Sequence, residues 1–138
     1  MKKMAKRTKA SCAIKRNSME TINLYEGFEG EGEIVLREKS TTGETVIELR
    51  LLDFHFNEII NIIPLGEYHA ESVKYNSIKG GQGWFFDEWE CKRVQEFFDQ
   101  LIAINPSIKA DFMASYNALI QICESALGHS NKLYIEYG

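Results

Sequence analysis

Cysteine, proline and long apolar runs are all scarce in this 138-residue chain, and each shortage closes off a class of protein. The three cysteines, Cys12, Cys91 and Cys123, are odd in number and far apart, with no CxxC pair. That spacing fits reduced thiols rather than a disulfide framework or a zinc site. The two prolines, Pro64 and Pro106, act as punctuation between segments. No run approaches the ~20 apolar residues of a membrane-spanning helix; even the cluster at 59–63 is interrupted by Asn61 and closed by Pro64. His55, His69 and His129 are scattered without metal-ligand spacing, and no Ser/His/Asp or Cys/His arrangement emerges. The expectation is a protein that is not an enzyme and carries no cofactor.

Charge is present but unevenly spread. The overall net charge is −4. Residues 1–16 hold Lys2, Lys3, Lys6, Arg7, Lys9, Lys15 and Arg16 and no acid, whereas residues 17–138 hold nine Lys/Arg against twenty Asp/Glu, a balance of −11. The basic start has no apolar h-region behind it, so it does not read as a secretory signal, and a cytoplasmic location is expected. Residues 1–18 lack apolar periodicity and read as a disordered arm; Met19 would also serve as a start. The arm is either a solvated tail or a tether for nucleic acid. The body, residues 19–138, is expected to form a single domain, since a chain of this size buries enough surface for its own core. Its acidity repels phosphates and favours a basic protein as ligand, with no role for a membrane.

Patterning predicts an α+β domain: a mostly antiparallel twisted sheet with one main amphipathic helix at about 87–104 packed on one face. Strand character begins at 21–25. The segments 33–39 and 44–56 form a hairpin across Ser40-Thr41-Thr42-Gly43, with Thr45, Ile47, Leu49 and Leu51 on one face. A helical turn or an irregular crossing follows at 57–63, then a further strand at 67–75. Gly80-Gly81-Gln82-Gly83 breaks the chain but lacks the lysine and spacing of a phosphate loop. Asp87 and Glu90 match a capping box, with Phe86 and Cys91 as a hydrophobic staple and Val94, Phe97, Phe98, Leu101, Ile102 and Ile104 as the stripe. Beyond Pro106, strands at 109–115 and 118–125 are separated by a Tyr116-Asn117 turn; Ala, Leu, Met and Gln would also support a second helix through Ser125. A turn at 127–131 leads into a last strand at 132–137.

Two features stand out as candidate interfaces. EGFEGEGE, residues 26–33, places Glu26, Glu29, Glu31 and Glu33 around Phe28, and lacks the ligand order of a calcium loop. It is either a solvated acidic loop or an electrostatic decoy for a basic cleft, with Glu20, Asp53, Glu58, Glu67 and Glu71 as extensions. Tyr25, Phe28 and Trp84 are the candidate aromatic anchors beside Glu29 and Glu31, although aromatics next to a helix start commonly pack in the core.

Gly83-Trp84, the helix ending FFDQLIAI and then KADFMASYNALIQICESALGHSNKLYIEYG resemble bacterial polymorphic-toxin immunity proteins of the wall-associated-protein (WapI-like) group. The resemblance covers about residues 32–138, with Gly128-His129 and Phe97/Leu101 as the nearest matches. It implies a helix followed by two apolar strands and a final strand, and a cofactor-free protein that neutralises a cognate toxin, often a nuclease, by binding it. Residue chemistry leaves two alternatives open: a nucleic-acid accessory protein acting through its basic arm, and an inhibitor of another bacterial defence or phage system.

Overall fold

The computed structural model describes residues 19–79 and 87–137. The basic arm, Gly80 to Phe86 with Trp84, and Gly138 lie outside the described residues. The chain runs β1 (Glu20–Asn23), β2 (Glu33–Lys39), β3 (Thr45–Leu52), α1 (Asp53–Ile62), α2 (Val73–Lys79), β4 (Trp89–Cys91), α3 (Val94–Ala103), two short 3-10 turns, α4 (Met113–His129) and β5 (Lys132–Tyr137). It is an α+β fold whose five strands lie in the order β1-β3-β2-β5-β4. All pairings are antiparallel except β1 with β3.

The β2–β3 hairpin forms where turn chemistry and alternation agree. The Ser40 carbonyl accepts the Gly43 N–H at 2.9 Å, and Gly43 holds φ +90°, a conformation that glycine adopts without a Cβ penalty. Register then places Ile34 opposite Leu51 and Leu36 opposite Leu49, and Ile135 of β5 opposite Leu36. These residues are buried against Phe56, Ile59, Leu119 and Ile122 from α1 and α4. Strand alternation thus sends one apolar face to the helices and the other to a polar surface. A register shift between Glu38 and Lys39 leaves Val46 as the extra residue of a β-bulge.

Four sequence expectations are corrected. The main helix begins at Val94, not 87: Trp89–Cys91 pairs with β5, Cys91 opposite Leu133, and Arg93 precedes the helix without a side-chain cap. Cross-strand pairing has overridden a local capping signal. The helix still buries Phe97 and Leu101, with Ile104 beyond it, while Ile102 is exposed. Strand 44–56 stops at Leu52, because Phe56, Ile59 and Ile60 recur at helical spacing and α1 buries them, with Ile63 buried just beyond its end.

The third correction concerns 67–75. The Ser72 hydroxyl accepts the Tyr75 N–H at 3.0 Å, an N-cap bond that starts α2 in place of a strand. Lys74, 2% exposed, donates from Nζ to the Ile60 carbonyl at 3.1 Å and closes the end of α1. Burial lowers the pKa of its ammonium. The fourth concerns 109–125, which holds no strand: α4 spans 17 residues, and Tyr116, Leu119, Cys123 and Ala126 fall on its buried side. Tyr116-Asn117 is inside the helix, and the Tyr116 hydroxyl donates to the Leu101 carbonyl at 2.6 Å, tying α4 to α3. The two apolar strands implied by the resemblance are therefore one helix. Ser130, at φ 55°, reverses the chain into β5, so the expected turn at 127–131 contracts to the helix end.

Candidate functional site

Local hydrogen bonding shapes the loop between β1 and β2. The Asn23 side-chain oxygen accepts the N–H groups of Tyr25 and Glu26, both at 3.0 Å, and two successive turns follow, Phe28 N–H to the Tyr25 carbonyl and Glu31 N–H to the Phe28 carbonyl. Gly27 and Gly30 take φ +96° and +103°, which any side chain would strain. The Tyr25 hydroxyl donates to the Glu31 carbonyl and closes the loop. Tyr25 is thus engaged within the loop, while Phe28, Glu29 and Glu31 are exposed at its surface.

The loop tip meets the first turn of α1. Phe28 approaches His55 edge-on at 5.9 Å between ring centroids. His55 in turn contacts Phe112 at 5.2 Å and Phe54 at 6.2 Å, and Phe54 contacts Phe112 at 5.9 Å. His55 Nδ1 lies 3.3 Å from the Ser115 hydroxyl, and Ser115 is 3% exposed, so this contact orients the ring rather than presenting a nucleophile. Phe54 remains 55% exposed and Phe28 38%. Two large aromatics therefore stand on a surface corner whose other members anchor them.

Carboxylates flank that corner. Glu29 accepts the Gly27 N–H at 3.1 Å. Backbone hydrogen bonds from Glu29 itself and from Gly27 hold its carboxyl below the usual carboxylate range. Asp53 packs so close to Gly32 that a Cβ there would stand 2.2 Å from Oδ2, which accounts for glycine at that position. Among the described residues, none of Glu26, Glu29, Glu31 and Asp53 forms a salt bridge. Of the other proposed extensions, Glu58 lies half-buried on α1, Glu20 accepts the Gln121 amide, Glu71 faces Lys92, and Glu67 lines a separate groove of about 340 Å³ with Tyr68, Tyr75 and Ile78.

The polar face of the sheet is organised differently. Arg37 contacts Glu48, Glu88 and Glu136 at 3.1, 3.4 and 2.7 Å; Lys39 pairs with Glu88 at 2.9 Å and lies 4.9 Å from the Tyr134 ring centroid; and Arg50 pairs with Glu33. On the core face Glu38, fully buried, accepts a 2.6 Å hydrogen bond from Asn131, and its Oε1 has no partner among the described residues.

Burial pushes the Cys91 thiol up to about 12 and the Cys123 thiol higher still, which keeps both protonated and weakly nucleophilic at neutral pH. Among the described residues no group of three His, Cys, Asp or Glu is placed to hold a metal ion, and no helix is long and apolar enough to cross a membrane. Of the corner residues, Phe28, Glu29 and Glu31 are legible in the sequence, whereas Phe54 and Phe112 are not. Phe54 was hidden inside an expected strand, where its neighbour His55 gave no sign of aromatic company. Comparison with protein-family models, with curated proteins and with solved structures returns no match.

Proposed function

We propose that the protein is a non-enzymatic, acidic inhibitor of the immunity type, which neutralises a basic toxin or effector by binding it. The observation that carries this reading is the corner at Phe28 and Phe54, where exposed aromatic anchors stand beside four carboxylates that no cation of the described chain neutralises. Aromatic residues concentrate binding energy when a partner covers them, and uncompensated charge steers a partner of opposite sign. The net balance of −11 over residues 17–138 extends the same field beyond the corner.

The test uses the full-length chain immobilised and exposed to bacterial lysate, with salt elution. The expected outcome is one basic protein that elutes with salt, whose activity is blocked when the chain is added back, and whose capture is weakened by the double variant E29K/E31K. Equal capture by that variant would remove the corner from the interface. Recovery of nucleic acid alone, abolished by replacing Lys2, Lys3, Lys6, Arg7, Lys9, Lys15 and Arg16, would overturn the inhibitor reading in favour of the basic arm.

A further inference from the structure

We infer that the aromatic corner is a receptor for an arginine side chain presented by the basic partner; this rests on the inhibitor reading and narrows it to one residue type. The ring pairs at the corner are tilted or T-shaped, with interplanar angles of 53° to 74°, so their mutual contacts do not stack face upon face. Aromatic faces carry negative π density and attract a cation laid over them. Phe54 and Phe28 are the exposed rings, and Glu29, Glu31 and Asp53 lie on the same loop and helix start and carry the acceptors.

Those two demands converge on guanidinium. It is planar, weakly hydrated and rich in in-plane N–H donors, so it stacks on a ring while its edge pairs with a carboxylate. An ammonium is a compact, strongly hydrated point charge with no plane to stack. A purely apolar partner would strip water from the carboxylates without replacing their hydrogen bonds. A divalent cation would need a ligand group that the described residues do not form.

The experiment is a low-salt NMR titration of the isotope-labelled full-length chain with three pentapeptides, Gly-Arg-Gly-Arg-Gly and its lysine and citrulline counterparts. The arginine peptide should bind about five-fold more tightly than the lysine peptide, with citrulline weakest and shifts centred on Phe28, Phe54 and Asp53. Phe54→Leu keeps an apolar side chain without a π face and should erase the arginine preference. Phe28→Leu gives a second variant should the first disturb the fold, which the dispersion of the spectrum reports. Equal binding of arginine and lysine peptides, or a preference that survives in folded variants at both positions, overturns the inference. A basic protein captured and neutralised through Glu29 and Glu31 but indifferent to Phe54→Leu leaves the inhibitor reading standing without the arginine receptor. Arginine preference with no neutralised effector separates the two in the opposite direction.

Discussion

Glu48, Glu88 and Glu136 converge on Arg37, whereas Glu26, Glu29, Glu31 and Asp53 share no cation among the described residues. The first set lies on and beside a sheet: register sets Glu48 opposite Arg37 and Glu136, opposite Val35, diagonal to it on the other neighbouring strand, and Glu88 immediately precedes β4. The second set lies on a turn-built loop and a helix start, where the Glu29 carboxylate accepts a backbone amide. Paired acids contribute to the fold, and unpaired ones leave a field for something else. A negative total therefore says little by itself; what matters is which acids remain uncompensated after folding.

Three sets of substitutions press on that contrast, beginning with the strongest. Asn131→Ala removes the 2.6 Å hydrogen bond to the buried Glu38 side chain and should cost roughly 2–3 kcal/mol in urea unfolding, as expected for a buried polar group left short of partners. Arg37→Met leaves three glutamates facing one another and should cost about 1 kcal/mol, since the group is partly solvent-screened, with the loss reduced when Glu48→Gln is added. The corner pair E29K/E31K should change unfolding by less than about 0.5 kcal/mol, as is usual for exposed sites, yet slow association with the partner and flatten its salt dependence in stopped-flow. A loss of stability as large as that of Arg37→Met would break the distinction.

Acid titration sharpens the same contrast on a single residue. Glu29 carries a lowered pKa, so its contribution to loop order is complete above the ordinary carboxylate range and is lost as the pH falls through its own midpoint. Carbon-detected NMR should place that midpoint below 4.5, and an ordinary value would mean that the Gly27 amide does not hold the carboxylate in solution.

Where local signals and tertiary demands coincided, the sequence was readable. The hairpin at 33–52 had alternation, turn residues and β-rich strands all in agreement, and β5 was plain from its composition. Asp87 and Glu90 looked like a cap because capping chemistry is local, whereas the pairing of Trp89 with Ile135 is not visible within a short window. In α4 the period-2 alternation of 118–124 competed with the true period of Tyr116, Leu119, Cys123 and Ala126, and short windows do not separate the two. The acidic loop was legible because its residues are contiguous. Its aromatic company was not, since Phe54 and Phe112 are linked to Phe28 through His55 only once α1 and the turn before α4 have packed.

The placement of β5 bears on how the chain is made. Arg37 meets Glu136 across 99 positions of sequence, and β5 lies between β2 and β4, not at a rim of the sheet. During synthesis the hairpin therefore waits with one side of β2 unpaired, and β4 has no strand to join, until nearly the last described residues emerge. Such an open side is a template for pairing with other chains. Nascent protein arrested before residue 132 should thus aggregate more readily than a chain that already carries β5.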